Sequence, residues 1–223
     1  MSLTKLPLSM MADGTDGNLI TYDASGVPAA VATGNSGQVL KSAGAGSAPS
    51  FGASGGYTFV QELTASSSSD LKFEGLSGDF DYKIIAKKLN NSADAHIDVE
   101  LGASTTYITA NYQYEVFKAQ QDAMTSAGND GSGQAAMRIT IATMGAGAGE
   151  VVDGYFEFFN LADSSEFASM FGHYLSEDAG GTEHMMLVAG RYEVDAALTD
   201  IKFKPSTGNF TDGKLALFKR PNA

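Results

Sequence analysis

The sequence predicts an all-β protein in which an extended N-terminal segment leads into a jelly-roll-like β-sandwich. Three observations carry that prediction. The 223 residues include 26 glycines, 9 tyrosines and 13 phenylalanines; glycine loses the most entropy in a helix, and aromatic side chains pack well across strands. Apolar and polar residues alternate strictly in several stretches, and turn-forming residues separate those stretches at short intervals. No segment sustains a helical period.

Residues 1–55 differ in chemistry from the rest. They hold 9 Gly, 9 Ala and 8 Ser, five charged side chains and three of the five prolines (Pro7, Pro28, Pro49), a composition that cannot close a core by itself. A weak duplication runs through them: Gly17-Asn18-Leu19-Ile20-Thr21-Tyr22 through Pro28, then Gly37-Gln38-Val39-Leu40-Lys41-Ser42 through Pro49. Each copy reads as a glycine turn, a short apolar strand, a small-residue turn and a proline-marked extended stretch. Units that bury so little stack on neighbours or on other chains; the alternative is a flexible Gly/Ser/Ala linker. The density of aromatic and β-branched residues rises at Tyr57, which places the boundary at Ser54-Gly55-Gly56 and divides the chain into 1–55 and 56–223.

Strand signals then follow one another. His96–Leu101 alternates as a strand with one buried and one wet face, and Ile108–Val116 and Thr199–Lys204 repeat the pattern. Tyr82–Lys87, Arg138–Met144, Val151–Phe159 and Leu215–Phe218 belong with them, joined by Tyr57–Leu63, Phe167–Leu175 and His184–Tyr192. Gly145–Gly149, Ala179–Gly181, Ser206–Asn209 and Thr211–Gly213 read as turns or loops, and Lys118–Thr125, the one helical alternative, is expected instead to belong to a long loop running to about Gly133. About ten short strands at this spacing imply a sandwich, with a jelly roll preferred by strand number.

Composition also excludes classes of function. With 14 basic and 26 acidic residues the formal charge is -12, and no basic block offsets it, so a nucleic acid backbone would be repelled. The absence of cysteine removes disulfides, thiolate nucleophiles and thiolate metal sites together. No apolar run reaches the length of a membrane helix, and Met1–Met10 does not read as a signal peptide. Folding in a reducing cytoplasm is compatible with all of this.

Catalytic patterns are absent. His96, His173 and His184 share no metal-ligand spacing, although His173 and His184 flank Glu177-Asp178 and a hairpin would bring them near each other. Glu150, Asp153 and Glu157 lie on or near one predicted strand, nothing singles them out as an acid–base pair, and a solvated strand face explains them. Gly145–Gly149 lacks the helix that a dinucleotide loop requires, and no serine sits in a nucleophile-elbow setting. No metal, cofactor or catalytic residue is indicated. Tyr107, Tyr112, Tyr114, Phe171 and Tyr174 are stacking candidates for a sugar if they face outward, with core packing as the default. Recognition is better placed on loops: Asn90–Ala95, 122–133 and Ser176–Thr182, with Asn91, Asp94, Asp130, Glu177 and Asp178 as candidate receptor-facing residues.

The run Asp16–Pro28, followed by Gly37–Ser42 and Ala48-Pro49-Ser50-Phe51, resembles a segment of bacteriophage tail-fibre and virion-appendage proteins (capsid fibres or decoration proteins). Ala197–Phe203 followed by Gly208–Phe218 looks like the closing hairpin of small sandwich domains in the same class. The resemblance implies a homotrimer assembled in the host cytoplasm and carried on the virion. In it, residues 1–55 dock on capsid or tail proteins through Leu19, Ile20, Val39 and Leu40 as buried contacts. It further implies a head that meets a host surface glycan or neighbouring capsid proteins. A virion-associated glycan depolymerase and a stand-alone carbohydrate-binding module are the competing expectations.

Overall fold

Each copy of the N-terminal duplication closes into a two-stranded hairpin in the computed structural model, which describes residues 14–120, 123–126, 129–140, 143–147 and 149–222. Strand β1 (Leu19–Tyr22) pairs antiparallel with β2 (Pro28–Val31), and β3 (Gln38–Lys41) with β4 (Ser50–Ala53). Gly17 and Gly37, at the same position of each copy, adopt φ of 81° and 84°, a conformation open to glycine at no steric cost. The Asp23 carboxylate closes the first hairpin by accepting from the Ser25 and Val27 amides, both at 2.9 Å. Pro28 opens β2 and Pro49 precedes β4, positions where a missing N–H is tolerated.

The chain divides into two compact units between Gly56 and Tyr57. The second is a two-sheet β-sandwich with no helix among the described residues. Its strands are β5 (Thr58–Thr64), β6 (Leu71–Phe73), β7 (Phe80–Asn91), β8 (Ile97–Ala103), β9 (Thr106–Tyr107), β10 (Tyr112–Gln120), β11 (Ala123–Ser126) and β12 (Asn129–Gln134). They continue as β13 (Met137–Arg138), β14 (Val152–Phe159), β15 (Ser169–Glu177), β16 (Glu183–Tyr192), β17 (Asp200–Pro205) and β18 (Phe210–Pro221). The larger sheet runs β11-β10-β16-β15-β14-β7-β18-β5, with β12 also on β10, and the smaller runs β13-β8-β17-β6, with β9 also on β8. Every pairing is antiparallel.

The topology follows from sheet-crossing arches. The β17–β18 arch inserts between two others, so that β18 lies between β7 and β5 in one sheet while β17 lies between β8 and β6 in the other. This wrapping of paired strands across two layers is jelly-roll-like. It also corrects the expected closing hairpin: β17 and β18 belong to different sheets and do not pair. The core fills the space between the sheets, where Phe203 of β17 meets Phe156 and Phe158 of β14 with ring centroids 5.4 and 6.4 Å apart. Tyr112 of β10 ties the layers together, its hydroxyl accepting from the Leu101 amide at 2.7 Å and donating to the Leu101 carbonyl at 3.1 Å. On β14, β15 and β16 the inward positions Gly154, Gly172 and Gly190 have no side chain because neighbours occupy the space; a Cβ on Gly190 would lie 2.8 Å from the Met137 sulfur.

Several sequence expectations change. The residues from Lys118 to Gly133, read as a loop, instead extend β10 to Gln120 and add β11 and β12. The strand expected from Ile108 begins at Tyr112, because Asn111 takes φ 63° and breaks the extension. Of the expected strand Arg138–Met144, the described residues pair at Met137–Arg138 and at bridges from Met144 to Ala95 and to Asp178, with residues 141–142 outside the described set. Thr211–Gly213 is no turn but a double irregularity inside β18. Both faces of β8 are covered, so the wet face expected for His96–Leu101 does not exist.

Candidate interaction surfaces

Among the described residues no group of three or more His, Asp or Glu side chains is arranged to hold a metal. Two surfaces stand out instead. The first is the pair of N-terminal hairpins, where Leu19, Ile20, Val39 and Leu40 are 42, 58, 43 and 47 % exposed. Among the described side chains of this unit only Val31 is buried. Apolar side chains on four-residue strands with so little beneath them satisfy the hairpins only when something else covers them.

The second is the outer face of the large sheet. Register sets Phe117, Leu187, His173, Tyr155 and Ile85 side by side across β10, β16, β15, β14 and β7. One row away lie Ala119, Met185, Leu175 and Asp153, and on the other side Glu115, Ala189, Phe171, Glu157 and Lys83. Phe117, Leu187, Ile85, Met185, Leu175 and Phe171 are between 36 and 60 % exposed. Four charges along this face are paired within the chain. Lys83 Nζ lies 3.2 Å from Glu157 Oε1 and 3.8 Å from the Tyr155 ring centroid, and Arg220 pairs with Asp81 at 3.2 Å. The Tyr57 hydroxyl donates to Glu157 at 3.2 Å, and burial, followed by the Glu157 charge, pushes its pKa up to about 12.

Two of the three strand acids singled out in the sequence hold backbone, and the third, Glu157, pairs with Lys83. Asp153 Oδ1 accepts from the Lys88 amide at 2.9 Å, and the Glu150 carboxylate accepts from the Gly147 amide. His173 and His184 do not approach: residues alternate between faces, so His173 faces outward against Tyr155 while His184 is buried with its Nε2 2.9 Å from Asp178 Oδ2. Of the stacking candidates, Tyr112, Tyr114 and Tyr174 are core residues, Tyr107 lies beneath the Lys202 ammonium at 4.2 Å, and Phe171 alone is exposed.

The receptor-facing candidates scatter. Asp94 is exposed in the β7–β8 connection, and Asp130 falls on β12 with a side chain outside the described set. Glu177 ends β15, directly across from Glu183. Asn91 is corrected outright: at 0 % exposure it cannot touch a receptor, because the Lys88 irregularity shifts the phase of β7 and turns Asn91 inward. Asp178 closes the β15–β16 turn, accepting from the Gly180 amide at 2.9 Å and the Thr182 amide at 3.1 Å.

Sequence reasoning missed two polar features, because both depend on partners far along the chain. Glu100 on β8 is 1 % exposed and paired with Lys202 and Lys204 of β17. Asp200 is also buried, and its carboxylate accepts from the Gly75 amide at 3.0 Å and the Thr105 amide at 2.8 Å. The latter bond holds Ser104-Thr105 at positive φ in the β8–β9 turn.

Acid should loosen the head. The hydrogen bond from His184, followed by those from the Thr182 and Gly180 amides, holds the Asp178 pKa below its ordinary 3.8. Desolvation, with Arg138 adding to it, holds His96 below its ordinary 6.5. In both cases the unfolded chain binds protons first, so stability falls as pH drops, beginning below 6.5 for His96 and below 3.8 for Asp178. Asp178→Asn is expected to cost about 1–3 kcal/mol at pH 7 and to flatten the most acid part of the profile. Thermal melts from pH 7 to pH 3 check this; an unchanged acid limb in the variant would assign the loss to other groups.

No family model, curated protein or solved structure matches this chain.

Proposed function

We propose that this chain is a non-catalytic structural protein of a bacteriophage particle, a short fibre or appendage attached through residues 1–55 and displaying the sandwich as its head. The observation that carries this reading is the pair of duplicated hairpins, whose apolar residues Leu19, Ile20, Val39 and Leu40 lie on the surface of a unit with almost no core of its own. A segment of that kind is completed by a partner, and capsid or tail proteins, or further copies wound into a homotrimer, supply one. The resemblance of Asp16–Pro28 and its second copy to virion-appendage segments points the same way. Display of the head is supported by what its central acids do: Asp153 holds backbone, and Asp178 with His184 and Glu100 with Lys202 form ion pairs.

The test is incorporation. Leu19→Ser, Ile20→Ser, Val39→Ser and Leu40→Ser combined in the full-length protein should leave the melting of the head unchanged and remove the chain from purified particles. Recovery of the variant in particles at the wild-type level would refute attachment through these hairpins. Substitution of Asp94, in a loop of the head, should then reduce adsorption if the head binds the host, or particle stability if it decorates the capsid.

A further inference from the structure

We infer that the cleft at the β10 edge of the sandwich binds one neutral sugar ring, held by the side chains of Tyr114, Thr109 and Gln134. The cleft measures about 150 Å³ and opens where residues 134–136 cross from β12 of the large sheet to β13 of the small one. Asp98 and Glu100 of β8, Arg138 of β13 and Lys204 of β17 form its small-sheet wall. Tyr114 of β10 closes it from the core side and is 8 % exposed. Among the described residues no hydrogen bond engages the Tyr114 hydroxyl, the Thr109 hydroxyl or the Gln134 side-chain amide, and the Tyr114 hydroxyl is not sealed from solvent. A hydroxyl this deep that takes no partner from its own chain is open to one from outside.

Charge and size select the ligand. The walls carry two acids and two bases, and these pair: Asp98 with Arg138 at 3.2 Å, and Glu100 with Lys204. Lys202, which shares Glu100, lies over the Tyr107 ring instead. An ion therefore meets no net charge on these walls, whereas a neutral polyol uses both signs. Arg138 and Lys204 donate, Asp98 accepts, and the Tyr114 and Thr109 hydroxyls do either. Ala135 and Ala136 give the C–H face of a ring an apolar wall. Small-molecule sites usually enclose about 300–1,000 Å³, so this smaller cleft takes a single ring, such as the terminal unit of a glycan. Such binding goes beyond the display role proposed above: the site belongs to the head alone, whether or not residues 1–55 attach to a particle.

Saturation-transfer NMR observed on the sugar, with the full-length protein, tests glucose, galactose, mannose, rhamnose and N-acetylglucosamine in turn. The expected result is saturable binding of at least one, with a dissociation constant on the order of millimolar. Tyr114→Phe, which keeps the ring and removes the hydroxyl, and Gln134→Ala should each weaken that binding about fivefold or more, the loss of one hydrogen bond. Neither should move thermal melting, because neither removed group is hydrogen-bonded within the described chain. Ser164→Ala, in the exposed β14–β15 connection, is the control and should bind as wild type does. The proposal is overturned if no sugar of the five binds, or if either variant binds at wild-type strength. A lower melting temperature for Tyr114→Phe overturns it as well, since the hydroxyl then serves the fold. Displacement of the sugar by an equal concentration of inorganic phosphate has the same consequence, because the cleft is then an anion site.

Discussion

Glu100→Ala is expected to lower the unfolding free energy of the head by about 3–5 kcal/mol, the range for removing one member of a buried ion pair. The reason lies in what remains. Glu100 is 1 % exposed, and the Lys202 side chain that pairs with it is only 14 % exposed, so the variant leaves an ammonium group short of counter-charge over the Tyr107 ring. Lys204 is nearer to water; Lys204→Ala should cost less than about 1 kcal/mol, as partly exposed pairs do. Glu100→Gln should fall between the two, keeping volume and losing charge. Urea denaturation of the three variants decides the matter, and a Glu100→Ala midpoint indistinguishable from wild type would show that the triad holds nothing together.

Gly213→Ala is expected to cost about 3 kcal/mol or more, combining overpacking with a backbone conformation closed to side chains. Gly213 sits at φ 103°, inside the irregularity where β18 passes Lys88 of β7. A Cβ there would fall on the Lys88 carbonyl oxygen and within 2.5 Å of Leu89 Cα. Both neighbours are backbone, so neither can swing aside. Lys88 takes φ 52°, and its amide is held by Asp153 at 2.9 Å. The two strands therefore lose register together if either side is disturbed. Protein that is insoluble or melts many degrees lower is the expected outcome, read by thermal denaturation; wild-type melting would mean that the irregularity relaxes without cost.

The same residues show how far the sequence could be read. Thr211-Asp212-Gly213 carries turn chemistry, and the backbone does turn out of extended geometry there, but the strand continues through it. Local composition records the need for glycine; it does not record whether the chain reverses or bulges, because that depends on β7, more than a hundred residues earlier. His96–Leu101 was legible as a strand from its alternation. That its polar phase would be covered was not, since the lysines that neutralise Glu100 lie on β17.

The sequence by itself determined the strand class, most strand positions, the change of chemistry near Gly56, the paired glycine turns of the N-terminal duplication and the absence of thiol chemistry. These are local: alternation follows from the two-sided geometry of a strand, and positive φ selects glycine residue by residue. Only the tertiary structure decided which strands share a sheet, that β17 and β18 part into different layers, that Asn91 turns inward while His173 and Leu187 turn out, and which acids are engaged. Those outcomes depend on pairing between distant segments, where a shift of one residue exchanges the two faces of a strand, and no local pattern carries that information.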